Sequence, residues 1–144
     1  MIAIDTNILV YASVRTMPLH ARASSAITGL VESAGRFAVP WPCVHEYLAS
    51  VTHPRRMTPP MPLSAALKTI NALAALPHCS FIGEGVAHLG FLESLLESST
   101  VTGPRVHDVR IAAICLAHGV TELWTADRDF TYFPRLRTRN PLVA

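Results

Sequence analysis

The chain has 144 residues, of which 50% are hydrophobic and 15% are charged, and its formal net charge is +2. This composition excludes a disordered chain, and no apolar run approaches the roughly 20 residues of a membrane-spanning helix. Three widely spaced cysteines without a CxxC pair argue against a zinc site and a disulfide framework. Since no signal-peptide pattern precedes the first apolar run, we expect one cytoplasmic domain over residues 1–144.

The distribution of charge is more specific than its total. Arginine supplies 11 of the 12 basic residues, and the chain has four aspartates. Without these aspartates and Glu46, 12 basic residues would face five acids, a balance of +7. A few acids within an arginine-rich chain suit a phosphate-bearing polymer, because arginine binds phosphate oxygens in pairs. The codon bias of a GC-rich genome explains the same arginine content.

The first predicted element is a short apolar strand, Ile2 to Ile4, which ends at Asp5. Helices then alternate with short strands down the chain, and a proline-rich loop over 54–62 interrupts them. The predicted helices cover 19–34, 44–51, 63–74, 86–96 and 109–120, and the further predicted strands cover 37–39, 79–82, 122–125 and 136–139. This alternation is typical of an α/β fold with a small, mostly parallel sheet of four or five strands.

Three aspartates from distant parts of the chain are expected to meet. Asp5 and Asp127 follow two of the best-defined strands, and Asp108 lies in the first turn of the helix that leads into the second of these. In a parallel sheet these positions share the carboxyl edge, because each crossover reverses the direction of the chain. Carboxylates held so close repel each other unless a cation lies between them. Oxygen ligands of this kind select Mg²⁺ or Mn²⁺, which act on phosphoryl groups in nucleases.

Each aspartate also has a purely structural interpretation. Asp5 has the position and chemistry of a helix cap, and Asp108 suits the positive end of a helix dipole. Asp127 and Asp129 are suited to a turn. Glu46 points away from the apolar stripe of its helix, so the helical pattern alone predicts a solvated side chain.

Four segments together resemble the PIN-domain ribonucleases, and more specifically the VapC-type toxins of type II toxin–antitoxin systems. These segments are IDTNILVYA, WPCVHEYL, VHDVRIAAICLAHGV and LWTADRDF, and they span most of the chain in the family's order. The resemblance implies a three-layer α/β/α fold, Mg²⁺-dependent (or Mn²⁺-dependent) endoribonuclease activity and a VapB-like antitoxin that blocks the site.

The resemblance also implies roles for individual residues, and it is what promotes Glu46 to the site. The implied metal ligands are Asp5, Asp108 and Asp127. Glu46 joins these three as a catalytic residue. The implied supporting residues are Asn7, Thr125 and Asp129.

We expect in-line attack of a metal-activated water on an RNA phosphodiester. Arg128, Arg55 and Arg56 are predicted to bind flanking phosphates. A module that binds RNA or protein without cutting is the alternative. A metal-dependent phosphatase is a weaker one, because it requires a second aspartate where the chain has Asn7. Asp5→Ala is expected to abolish cleavage and leave the fold intact. The apolar helical face over 63–76 predicts a homodimer, because a small sheet cannot cover it.

Overall fold

The computed structural model describes residues 1–143, without the side chain of Tyr132. Five short strands and six helices alternate along the chain. The strands are β1 (Ile2–Ile4), β2 (Phe37–Pro40), β3 (Cys79–Ile82), β4 (Glu122–Trp124) and β5 (Arg137–Arg139). The helices are α1 (Thr6–Ser13), α2 (His20–Glu32), α3 (Trp41–Val51), α4 (Leu63–Ala74), α5 (His88–Glu97) and α6 (Val106–Ala117). Short 3₁₀ helices lie at Gly103–Arg105 and Arg128–Tyr132.

All five strands form one parallel sheet in the order β3-β2-β1-β4-β5. Right-handed crossovers place α1 to α4 on one face and α5 with α6 on the other. The packing agrees, because α1 contacts α2 and α3, while α5 contacts α6. The sequence prediction of a three-layer α/β/α fold with a small parallel sheet is therefore confirmed.

The central strands are buried on both faces, as continuous apolar runs require. Ala3, Phe37, Ala38 and Leu123 have no exposed surface. Among the described residues, no helix combines the length and the apolar character that a bilayer crossing requires.

Helix α1 was not assigned from the sequence. Its apolar run, Ile8 to Ala12, is too short and too uniform for its periodicity to separate a helix from a strand. The structure settles the matter, because the Asp5 carboxylate accepts the backbone N–H of Thr6 and caps this helix. Gly119 follows α6 with a φ of +73°, the left-handed conformation expected of a glycine at the end of a helix.

Candidate active site

The candidate site lies where the chain changes direction across the sheet. From β1 the chain proceeds through β2 to β3 on one side, then crosses back to β4 and β5 on the other. Open α/β sheets bind ligands at such a switch point, outside the carboxyl ends of the strands. Asp5 follows β1 and Thr125 follows β4 at this edge, and the backbone N–H of Asp5 donates to the carbonyl of Trp124 at 3.0 Å.

The Asp5 side chain is the buried centre of a hydrogen-bond network and is only 4% exposed. Its Oδ1 accepts from the backbone N–H of Thr6 at 2.7 Å and from Sγ of Cys43 at 3.5 Å. Its Oδ2 accepts from Oγ1 of Thr125 at 2.7 Å and from Nδ2 of Asn7 at 3.2 Å. Four donors match the roughly four lone-pair positions that a carboxylate offers. Asp5 is therefore both a helix cap and a member of the site.

Burial and hydrogen bonding act on Asp5 in opposite directions. Burial raises the pKa of the Asp5 carboxyl, since the charged form is poorly solvated there. Hydrogen bonds from Thr125 and Thr6 lower it in part, and the nearby charge of Glu46 raises it again. The site therefore holds a carboxylate under electrostatic strain that its network only partly relieves.

The same network fixes the segment that follows β4. Oγ1 of Thr125 accepts from the backbone N–H of Asp127 at 2.9 Å, and Oδ1 of Asn7 accepts from the backbone N–H of Ala126 at 3.0 Å. One turn on, Oδ1 of Asp127 accepts from the backbone N–H of Asp129 at 2.8 Å. Asn7 and Thr125 thus join the ends of β1 and β4, an arrangement consistent with the orienting role expected of them.

Three carboxylates converge beside this network. Asp108, Asp127 and Asp129 each offer one oxygen, and these oxygens all lie within 4.8 Å of one another. Burial, followed by the charges of Asp127 and Asp5, raises the pKa of Asp108 to about 6. Arg105 places a positive charge beside this group, since its Nη2 lies 3.8 Å from Oδ1 of Asp129.

These three carboxylates fit a hard divalent cation. Hard oxygen donors are the ligands of Mg²⁺ and Mn²⁺, and a cation would relieve the repulsion that raises the pKa of Asp108. This group of carboxylates differs in one member from the metal ligands expected from the sequence. Asp129, expected to be a supporting residue, belongs to it, whereas Asp5 lies outside it among the described residues.

Glu46 faces the site although it is exposed. Its Oε2 accepts a hydrogen bond from Oγ1 of Thr6 at 3.1 Å. It also lines a cavity of about 250 Å³, hereafter the acidic cavity, together with Asp5, Asp108 and Asp127. The helical pattern correctly predicted exposure, but exposure here means access to the cavity. Thr6, which links Asp5 to Glu46, was missed, although its position directly after Asp5 was the available signal.

The structure separates the two arginines of the proline-rich loop. Arg56 lines the acidic cavity, and its Nη1 donates to Oγ of Ser50 on α3 at 3.1 Å. Arg55 is exposed, and within residues 1–143 its side chain is not part of the wall of that cavity. Arg128 is also exposed, between two members of the aspartate group. Ser50, which orients Arg56, carries no sequence signal that would have identified it.

Comparisons with known proteins agree with this fold. The sequence profile of the PIN domain family matches residues 2–136. Ribonuclease VapC48 of Mycobacterium tuberculosis is 28% identical over 137 residues, covering 95% of this chain and 94% of the relative. Ribonuclease VapC43 of the same species is 30% identical over 142 residues, covering 99% of this chain and 96% of the relative.

A solved structure gives the same result for the fold. VapBC2 from Rickettsia felis, bound to a DNA fragment from its promoter, superposes with a TM-score of 0.68 at 18% identity. The alignment covers 97% of this chain and 98% of that one. The chain therefore belongs to the PIN-domain family, and its curated relatives are VapC ribonucleases.

Proposed function

We propose that this protein is a Mg²⁺-dependent endoribonuclease that hydrolyses RNA phosphodiesters by attack of water. The observation that supports the proposal most strongly is the group of three aspartate oxygens within 4.8 Å at the switch point of the sheet. The relatives named VapC ribonucleases support the reaction class.

Asp108 and Asp127 are the central metal ligands in this proposal, because both the sequence and the measured group include them. Asp129 is the third ligand by geometry, and Asp5 adds the buried carboxylate of the same cavity. When bound, Mg²⁺ or Mn²⁺ would neutralise these carboxylates, polarise a phosphoryl oxygen and lower the pKa of a water.

The chain's own residues prepare the site before substrate arrives. The network from Asn7 and Thr125 fixes the Asp5 carboxylate and the backbone at Asp127, two of the residues that line the cavity. Glu46 and Asp127 line the same cavity and would orient the attacking water by accepting its hydrogen bonds. Because these groups are held by their own hydrogen bonds, little reorganisation is required when the reaction begins.

Arginine would bind the phosphates on either side of the scissile bond. Arg56 is the best placed of the three predicted residues, because its guanidinium is tethered by Ser50 and faces the acidic cavity. Arg55 and Arg128 are exposed and would add weaker contacts to phosphates farther along the strand.

We further propose that the protein acts in the cytoplasm as the toxin of a toxin–antitoxin pair, with a VapB-like antitoxin as its partner. The likeness to the VapBC2 complex supports this role. Sequencing of the neighbouring gene tests it. A small antitoxin gene beside this one is expected, and the absence of any such gene would contradict the toxin role without affecting the nuclease activity.

A homodimer is the proposed assembly. Leu63 and Leu67 on α4 are 58% and 41% exposed, and an exposed apolar helix face favours association. Light scattering of the purified protein at micromolar concentration should give twice the mass of one chain. A Leu63→Glu, Leu67→Glu double variant should give a monomer, and a monomeric wild-type protein would contradict the assembly.

The activity itself is tested by incubating purified protein with total bacterial RNA, with and without Mg²⁺. Cleavage is expected only with the metal, and it should disappear in Asp108→Asn. Retention of RNA without cleavage would instead favour a binding module on the same fold. Full cleavage by Asp108→Asn would exclude the assigned site.

A further inference from the structure

An exposed tryptophan lies next to the acidic site. Trp41 is the first residue of α3, directly after β2, and it is 42% exposed. Its indole packs edge-on against Phe81, with ring centres 5.0 Å apart. Gly83 leaves room for this position, because a Cβ there would lie 3.2 Å from Cδ1 of the indole. The ring is therefore held from one side while much of it stays accessible to solvent.

The accessible indole of Trp41 lies beside an imidazole ring on the same helix. His45 lies one helical turn after Trp41, and the two rings are 6.1 Å apart and inclined by 31°. Residues four apart share one face of a helix, so both rings point the same way. Together they form a short aromatic surface, hereafter the Trp41–His45 surface.

This surface leads directly to the catalytic acids. His45 lines a cavity of about 330 Å³, hereafter the histidine cavity, and His107 lines it from α6. Glu46 and Asp108 also line this cavity, and the same two residues line the acidic cavity. An RNA strand bound at the acids could therefore reach His45 through the histidine cavity. Among the described residues Trp41 does not line this cavity itself, but it lies one helical turn before His45.

The chemistry of this route suits a nucleobase better than a phosphate. The acids at its inner end repel bare phosphates, and the guanidinium of Arg110 in its wall is already paired with the carboxylate of Glu84. Aromatic faces bind any base by stacking, and imidazole nitrogens add hydrogen bonds to base edges. A base held here would leave its phosphodiester near Glu46 and Asp108.

We propose that the Trp41–His45 surface stacks a base of single-stranded RNA beside the acidic cavity. The inference rests on the proposed function in taking RNA as the substrate, but it concerns binding and does not require cleavage.

The test measures binding of a short, fluorescein-labelled single-stranded RNA by anisotropy, in EDTA so that no cleavage occurs. Trp41→Ala should weaken binding roughly 5- to 100-fold, the usual effect of losing one stacked base. Trp41→Phe should retain most of the affinity. The matched control is Leu89→Ala, because Leu89 is also exposed and, among the described residues, lines neither cavity.

Two further readouts separate stacking from a structural role. An RNA of the same length without bases should bind wild type and Trp41→Ala equally, since only phosphate contacts remain. Unlabelled RNA should quench tryptophan fluorescence in wild type but not in Trp41→Phe, in which only Trp124 remains. Trp124 is buried, and its Nε1 donates to Glu122.

Unchanged RNA affinity in Trp41→Ala overturns the proposal. If light scattering then shows a change in the mass of the particle, the tryptophan serves an interface between protein chains instead. A wild-type protein that binds RNA through Trp41 but does not cut it with Mg²⁺ would contradict the nuclease activity and leave this inference standing.

Discussion

Asp5 and Asp108 are the same residue type in the same cavity, but their surroundings differ. Asp5 is buried and accepts four hydrogen bonds from the chain. Asp108 is partly exposed, faces other carboxylates, and accepts no side-chain hydrogen bond among the described residues. The first carboxylate organises the fold around the site, whereas the second is the one that the proposed function assigns to an external cation. Replacing Asp5 and replacing Asp108 should therefore have different consequences.

The largest expected effect is on catalysis by Asp108→Asn. This variant keeps the shape of the side chain and removes a charge whose pKa is raised by burial and by neighbouring acids. Cleavage should fall at least about 100-fold, since even residues behind metal ligands account for 10- to 100-fold. The circular dichroism spectrum should be unchanged. Gel analysis of total RNA measures the loss, and Glu32→Gln is the control, because Glu32 is exposed at the end of α2 and, among the described residues, does not line the acidic cavity.

Asp5→Ala should instead destabilise the protein. The variant removes the cap of α1 and leaves the buried hydroxyl of Thr125 and the partly buried amide of Asn7 without this acceptor. We expect a loss of about 2 kcal/mol in the free energy of unfolding, or about 6 °C in Tm. Urea denaturation measures it. The fold itself is still expected to stay intact in this less stable variant. Equal stability of wild type and variant would remove the contrast with Asp108.

The pH dependence of stability sharpens the comparison further. The pKa of Asp108 is about 6 in the folded protein and near 3.8 when unperturbed, so the folded state retains a proton that the unfolded state releases. Without metal, stability should therefore fall as the pH rises from about 4 to about 6 and stay low above that.

Asp108 is partly exposed, so screening by solvent reduces this effect to about 1 kcal/mol, or about 3 °C in Tm. Thermal denaturation at pH 5 and pH 7.5 should show the difference. Asp108→Asn should reduce it, and saturating Mg²⁺ should remove most of it by favouring the ionised form. An identical dependence of Tm on pH in wild type and variant would mean that Asp108 does not cause the change in stability.

The smallest predicted effect concerns the rim of the cavity. Arg56→Ala should weaken RNA binding a few-fold and lower the slope of log K against log salt by about 0.7, the contribution of one single-strand phosphate. Arg55→Ala should change the slope less, because Arg55 lies outside the wall of the acidic cavity among residues 1–143. Anisotropy titrations over a range of salt concentrations measure both, and equal slopes for the two variants would refute the distinction.

The sequence predicted the meeting of Asp5, Asp108 and Asp127 because strand order and crossover direction largely follow from chain topology. It could not predict that the Asp129 carboxylate lies with those of Asp108 and Asp127. The orientation of this side chain depends on a 3₁₀ turn, which leaves no periodic signal in the sequence. The separation of Arg56 from Arg55 is of the same kind, since it depends on loop conformation and on Ser50. Helical periodicity reports which face is buried, but it does not report which exposed side chains face each other across a cavity.

Titration calorimetry with Mn²⁺ tests the central claim most directly, because it measures occupation of the aspartate group independently of any substrate. Wild type should bind the ion, Asp108→Asn should lose most of that affinity, and Glu32→Gln should bind like wild type. Equal binding by all three proteins, or no binding by wild type, would contradict the assignment of Asp108, Asp127 and Asp129 as a metal site.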